Sequence, residues 1–131
     1  MEFEYLTLED VIQLHDSALE EYGGLPGREV GKLEAVLALP MSGFADFERF
    51  PTIHEKAAAY LYYLATGHCF KDGNKRTAYL STFVFLDIND YDLIVDDDEV
   101  FNFMIRVAND KQRPHFDEVV HWIERHMYRS L

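Results

Sequence analysis

With 131 residues, the chain has the length of one domain, and its 48% of hydrophobic residues can bury a single core. Its net charge of −12 makes a long polyanion such as nucleic acid an unfavourable partner. The first residues are acidic where a signal peptide is basic, and no apolar run approaches the ~18 residues that span a bilayer. One cysteine cannot form an internal disulfide. We therefore expect a single domain over residues 1–131, soluble and cytoplasmic, with no nucleic-acid or membrane partner.

The first part of the chain predicts two helices followed by a loop. Thr7 and Asp10 have the spacing of a capping box, and apolar residues recur at helical intervals over 8–22, where glycines end the pattern. A short helix should follow over about 30–39, until a proline stops it. Residues 40–51 have no helical period, and they predict a loop or small hairpin that could lie over a site.

The remaining segments also have helical patterns. A second capping-box signature at Thr52 predicts a helix that ends at Gly67. The stretch 74–89 is apolar on nearly every side after its first turn, which favours a place in the middle of a bundle. Two further helices should begin at the acidic run 96–99 and near Pro114. The predicted fold class is all-α, a compact helical bundle around a central buried helix.

Nine residues between the third and fourth predicted helices combine a base, a carboxylate, a glycine and two cations. Residues 68–76 read His-Cys-Phe-Lys-Asp-Gly-Asn-Lys-Arg. A glycine and an asparagine before a helix leave unpaired N–H groups and the positive end of the helix dipole, which favour an anion such as phosphate. Three of the twelve basic residues fall between Lys71 and Arg76, against the charge of the whole chain. This contrast favours a small anionic ligand.

His68 and Asp72 lie four residues apart across the turn, so both can face one small cavity. A histidine can take a proton from a hydroxyl near neutral pH, and a carboxylate beside phosphates suits Mg²⁺. The alternative interpretation is that each residue only caps a helix. The adjoining Gly-Asn-Lys-Arg favours the active-site interpretation.

Other chemistries have weaker support from the sequence. The glycine spacing does not match a P-loop. His121 and His126 are five residues apart on different helix faces, which argues against a zinc site. Cys69 has no evident orienting group for a nucleophile, so a buried structural cysteine is the better interpretation.

Residues 68–76 resemble the motif of the Fic/Doc family, usually written His-Pro-Phe-x-Asp/Glu-Gly-Asn-Gly/Lys-Arg, and are most similar to its death-on-curing (Doc) toxin branch. The similarity in order and spacing extends over nearly the whole chain, including 5–10, 21–24, 33–40 and 55–63. The resemblance implies a Fic-type helical fold. Cys69 stands where the motif commonly has proline.

Two departures from the larger Fic group concern the kind of group transferred. Members that transfer AMP to protein hydroxyls have a glycine where this chain has Lys75 and an arginine where it has Tyr79. A lysine fills and recharges the anion hole, so the nucleotide need not lie in the same way. In Doc-type members the resemblance implies reversed nucleotide placement and transfer of the γ-phosphate.

The resemblance also assigns roles to individual residues. His68 would be the general base on a Ser or Thr hydroxyl of a protein target, Asp72 would help to bind Mg²⁺, and Phe70 would be a buried anchor. Lys75 and Arg76 would stabilise charge during transfer. The nucleotide-binding residues would be Gly73, Asn74, Lys75 and Arg76.

The function implied by the resemblance is that of a toxin from a toxin–antitoxin pair, an ATP- and Mg²⁺-dependent Ser/Thr phosphotransferase that arrests translation, with elongation factor Tu as the suggested target. A small antitoxin would inhibit it in trans, because 17–22 matches the inhibitory helix of self-inhibited members incompletely. The loop 40–51 would be the flap that docks the target by edge pairing. Two alternatives stay open: an AMP transferase acting on protein hydroxyls, and a non-catalytic nucleotide- or partner-binding module.

Overall fold

The computed structural model describes residues 2–131, and most of this part of the chain is helical. Its α-helices are α1 Leu8–Tyr22, α2 Val30–Ala38, α3 Ile53–Thr66, α4 Asn74–Ile88, α5 Asp97–Ala108 and α6 Phe116–His126, with a short 3₁₀ helix, Leu39–Met41, after α2. Two short antiparallel pairs complete the elements: β1 Gly43–Phe44 with β2 Phe47–Glu48, and β3 Tyr91–Leu93 with β4 Met127–Arg129. The predicted all-α bundle is confirmed. Within the described residues, no helix is long and apolar enough to cross a membrane.

Side-chain caps begin α1 and α3 where the sequence placed them. The Thr7 hydroxyl accepts a hydrogen bond from the Asp10 amide at 3.1 Å, and the Asp10 carboxylate accepts one from the Thr7 amide at 2.8 Å. At α3 the Thr52 hydroxyl accepts from the Glu55 amide at 3.2 Å and donates to the Glu55 carboxylate at 2.7 Å. Each cap satisfies an N–H group that the helix itself leaves unpaired, which fixes where the helix starts.

The central helix of the bundle is α3, and the prediction that 74–89 occupies the middle was wrong. Nine of the 14 residues of α3 are buried, against six of the 15 in α4. α3 packs against α2, α4, α5 and α6. α4 leaves Phe83 41% and Ile88 39% exposed on its outer face. Apolar composition therefore overstated the burial of α4, because surfaces also carry large apolar side chains.

Within the predicted loop 40–51, residues 43–48 form the small hairpin β1–β2, which precedes α3 in the chain. Phe44 and Phe47 on it are 84% and 67% exposed. Its base is tied down by Lys56 of α3, a fully buried lysine whose Nζ donates to the Pro40 carbonyl at 3.1 Å and to a Glu48 carboxylate oxygen at 3.3 Å. The hairpin tip is thus free of the core while its base is fixed to the central helix.

The pair β3–β4 was not predicted from the sequence, which indicated only a turn after α4. Tyr91 pairs with Arg129 and Leu93 with Met127, so the segment after α6 returns to the end of α4. Strands of three residues are too short to show an alternating pattern, and a partner so distant in sequence leaves no local signal.

Candidate active site

The loop between α3 and α4 is held from outside by the connection between α1 and α2. The Glu29 amide donates to the Cys69 carbonyl at 2.8 Å, and the Lys71 amide donates to the Gly27 carbonyl at 3.0 Å. These two hydrogen bonds flank a single antiparallel bridge between Arg28 and Phe70. The loop therefore has a defined backbone on both sides of Phe70.

Asn74, the first residue of α4, closes the same loop from the other end. Its Oδ1 accepts from the Phe70 amide at 3.1 Å, and its Nδ2 donates to the Phe70 carbonyl at 2.8 Å. Phe70 is 5% exposed, as expected of a buried anchor, and Cys69 beside it is fully buried. Because both polar ends of the Asn74 amide bond to one residue, this side chain shapes the turn.

The Asp72 side chain is exposed and points its carboxylate oxygens at two backbone amides. Oδ1 accepts from Gly73 N at 2.9 Å, and Oδ2 accepts from Leu25 N at 3.1 Å. Gly24 approaches so closely that a Cβ there would lie 3.0 Å from Asp72 Oδ2. The chain after α1 thus forms one wall around this carboxylate.

The start of α4 opens into a cavity of about 450 Å³. Gly73 precedes the helix in the left-handed region, with φ of 81°, and no side chain caps this end. The loop and the first turn of α4 contribute Asp72, Gly73, Asn74, Lys75 and Arg76 to its lining, and α5 contributes Asp97 together with the apolar residues Val100, Phe101, Met104 and Ile105. The cavity therefore joins an anion-attracting end to an apolar wall.

Aromatic side chains hold part of the cavity wall in place. The Arg76 guanidinium carbon lies 3.7 Å from the ring centroid of Tyr22, the last residue of α1, in a cation–π contact. Tyr79 also lines the cavity, and its pKa is raised chiefly by burial and further by the nearby Asp97 carboxylate. The Tyr22 ring thus lies against the Arg76 guanidinium at the wall of the cavity.

His68 occupies a different position from the other predicted site residues. It follows α3 in a left-handed backbone conformation, with φ of 51°, and its side chain is exposed. It is not among the residues that line the cavity, whereas Asp72, Gly73, Asn74, Lys75 and Arg76 all are. The structure thus brings five of the six residues to one cavity and leaves the histidine accessible at the other end of the loop.

Burial explains the state of Cys69. Desolvation raises the pKa of its thiol, an effect that Lys32 opposes and Glu29 reinforces. A thiol held protonated and out of solvent is a poor nucleophile. The interpretation of Cys69 as a structural residue agrees with this environment.

The donor set at Asp72 fits a magnesium ion that is shared with phosphates. Each carboxylate oxygen accepts one amide hydrogen, which leaves further lone pairs for a cation. Within residues 2–131, no group of three or more His, Cys, Asp or Glu side chains could hold a metal alone. Mg²⁺ commonly binds through one or two carboxylates plus substrate phosphates, so a single Asp72 is sufficient for that mode.

Comparison with known proteins agrees with the motif. A family model described as "Fic/DOC family" matches residues 5–86. The chain is 40% identical over 86 residues to "Protein kinase doc" of Escherichia phage P1, covering 65% of this chain and 68% of that protein. It is 41% identical over 96 residues to "Toxin Doc" of Mycolicibacterium smegmatis, covering 72% of each. The chain belongs to the Fic/DOC family.

Proposed function

We propose that this protein is a toxin that transfers the γ-phosphate of ATP to a Ser or Thr hydroxyl of a protein target. The observation that carries the proposal is the cavity at the start of α4, whose lining combines the anion-attracting start of that helix with apolar side chains of α5. Its volume lies within the range of about 300–1,000 Å³ that small-molecule sites occupy. The two relatives support the proposal, since one is named a protein kinase and the other a toxin.

Charge supports a nucleotide as the ligand of this cavity. The chain carries a net charge of −12, yet Lys75 and Arg76 stand at the positive end of the α4 dipole. A triphosphate placed there meets backbone N–H groups and two cations, and the apolar α5 wall offers a surface for a base. Lys75, where AMP-transferring members have glycine, favours the reversed placement that presents the γ-phosphate.

In the proposed reaction the target hydroxyl oxygen attacks the γ-phosphorus while the bond from that phosphorus to the bridging oxygen breaks, and ADP leaves. His68 Nε2 or Nδ1 takes the hydroxyl proton; its exposed position allows it to meet a side chain delivered from outside the nucleotide cavity. Lys75 and Arg76 stabilise the charge on the transferring group. Asp72 would hold a Mg²⁺ ion, which neutralises phosphate charge when bound.

The exposed hairpin supports a protein as the acceptor. In the described residues, β1 pairs only with β2, so each strand has an outer edge on which an extended segment could add. Phe44 and Phe47 add exposed apolar surface beside those edges. We propose elongation factor Tu as the target, so that its modification arrests translation, and a small antitoxin that inhibits in trans.

Intact-mass spectrometry of purified elongation factor Tu tests the proposal after incubation with the protein, ATP and Mg²⁺. We expect a gain of ~80 Da, the mass of one phosphoryl group, and an adenylyl gain of ~329 Da would establish AMP transfer instead. His68→Ala should abolish the gain, while His121→Ala, which removes another exposed histidine on α6, should preserve it.

The same assay on a bacterial lysate separates a wrong target from an inactive protein. If another protein gains a phosphoryl group in a His68-dependent way, that protein is the target in place of elongation factor Tu, and the phosphotransferase activity stands. If neither the purified factor nor any lysate protein gains mass, the non-catalytic binding module is the correct description.

A further inference from the structure

A buried histidine on α1 lies directly behind the candidate site and has no role in the proposed reaction. His15 is 1% exposed. Its Nε2 lies 2.8 Å from the main-chain oxygen of Asp72, and its ring stacks on Phe70 with centroids 3.8 Å apart and planes 13° apart. The contact joins positions 57 residues apart in sequence.

The two ring nitrogens of His15 have unequal surroundings. A carbonyl oxygen can only accept a hydrogen bond, so Nε2 carries the proton and donates to Asp72. Nδ1 is buried with no hydrogen-bond partner among the described residues; the Asp16 carboxylate oxygen is 3.9 Å away. Burying an unpaired nitrogen disfavours folding, and a leucine would fill the space without it. Packing alone therefore does not account for a histidine at this position.

The hydrogen bond from His15 fixes the orientation of one peptide unit, the one that joins Asp72 to Gly73. The carbonyl of this unit accepts from His15 Nε2, and its N–H, on Gly73, donates to Asp72 Oδ1 at 2.9 Å. A rotation of the peptide would break both hydrogen bonds together. The ring also packs against the turn, since a Cβ on Gly73 would be 3.5 Å from two atoms of the imidazole.

We propose that His15 is a positioning residue for the candidate site: it locks the Asp72–Gly73 peptide and thereby sets both the direction of the Asp72 carboxylate and the left-handed start of α4. The inference deepens the proposed function, because Asp72 is the residue that would hold Mg²⁺ beside the phosphates. Loss of the hydrogen bond from His15 should raise the Mg²⁺ concentration that gives half-maximal nucleotide binding more than it lowers the rate of phosphoryl transfer at saturating Mg²⁺.

Three substitutions separate the hydrogen bond from the packing. His15→Gln places an amide N–H near the position of Nε2, His15→Asn carries the same amide too short to reach Asp72 O, and His15→Leu keeps only apolar bulk. In the full-length protein, amide hydrogen exchange measured by NMR reports the lock at Gly73 without any nucleotide. Val119 and Ile123, buried in α6 away from the site, report global opening in the same spectra.

We expect Gly73 exchange to be about fivefold to tenfold faster in His15→Asn and His15→Leu, which corresponds to the loss of one hydrogen bond, and within twofold of wild type in His15→Gln. Exchange at Val119 and Ile123 should change by less than twofold in all three variants. The Mg²⁺ concentration that gives half-maximal binding of a non-hydrolysable ATP analogue should rise by a similar factor in the first two variants only. In the transfer assay, kcat at saturating Mg²⁺ should stay within about twofold.

Unchanged Gly73 exchange in His15→Asn, or equal acceleration in His15→Gln and His15→Asn, would overturn the inference. If His15→Leu does not fold, the Gln and Asn variants still decide the question, because they differ only in reach. Failure of the proposed function is distinct: wild-type protein would then transfer no phosphoryl group, while the exchange measurements would still report whether His15 locks the turn.

Discussion

Two adjacent glycines after α1 allow a direct test of how the wall around Asp72 is built. Gly23 and Gly24 both have a positive φ, of 82° and 128°. A Cβ on Gly23 would have no atom within 4 Å, whereas one on Gly24 would lie 2.8 Å from Leu19 Cδ2 and 3.0 Å from Asp72 Oδ2. Gly23→Ala therefore introduces backbone strain alone, and Gly24→Ala introduces the strain together with collisions at the Leu19 side chain and the Asp72 carboxylate.

The expected magnitudes follow from those contacts. A non-glycine residue in this backbone region costs of order 1–3 kcal/mol, so Gly23→Ala should lower the free energy of unfolding by that amount and Gly24→Ala by at least that amount. Both should remain folded, given typical stabilities of about 5–15 kcal/mol. Their thermal midpoints should fall by about 4 °C per kcal/mol. Gly24→Ala should also displace the Asp72 carboxylate and break its hydrogen bond from the Leu25 amide, which measures 3.1 Å.

Calorimetric titration of the ATP analogue in the presence of Mg²⁺ provides the assay, with thermal unfolding measured on the same samples. We expect Gly24→Ala to bind about tenfold more weakly than wild type, which is the loss of one charge-assisted hydrogen bond, and Gly23→Ala to bind within twofold. Equal binding by the two variants would show that the close approach of Gly24 does not control the position of the Asp72 carboxylate.

Three further substitutions test other parts of the account. Tyr22→Leu removes the ring under Arg76 and should weaken binding of the ATP analogue about twofold to fivefold, as expected for an exposed cation–π contact. Tyr128→Leu, a control at a similarly exposed tyrosine, should leave binding unchanged. Equal effects of the two substitutions would argue against the contact. Lys56→Met leaves the buried Pro40 carbonyl without its donor, so the free energy of unfolding should fall by about 1–3 kcal/mol. Amides of the β1–β2 hairpin should then exchange faster than those of α6. Unchanged exchange in the hairpin would show that Lys56 does not hold its base. Cys69 is buried and has a raised thiol pKa, so it should react with iodoacetamide at neutral pH far more slowly in the folded protein than in denaturant. Cys69→Ala should retain phosphoryl transfer. Rapid labelling of the folded protein would exclude the structural role.

Helix positions could be predicted from the sequence because their signals are local. The capping residue Thr7 and the glycines after Tyr22 are encoded within a few positions of the ends of α1, and the start of α4 coincides with the asparagine of the motif. The burial of each helix was harder to infer. The alanines of α3 let neighbours approach closely, while α4 carries large apolar residues on a face that stays exposed, and only packing distinguishes the two.

The candidate site was predictable as far as its motif extends in sequence. Residues from Asp72 to Arg76 line one cavity because they form a single turn and the first turn of a helix. Tyr22 and His15 reach the site from α1, and their contacts depend on how that helix packs against α4 and the loop between α3 and α4. A histidine with helical spacing on α1 gave no sign that its partner would be a backbone oxygen of Asp72.

The transfer of phosphorus from two labelled forms of ATP shows whether this protein is a phosphotransferase, without knowledge of the target. Wild-type protein and His68→Ala are incubated with a bacterial lysate, Mg²⁺ and ATP labelled either at the γ- or at the α-phosphorus. We predict a protein band labelled from γ-labelled ATP only, which is present with the wild type above the lysate background and absent with His68→Ala. Label transferred from the α-phosphorus, or γ-label that is unaffected by His68→Ala, would contradict a phosphotransferase that uses this site.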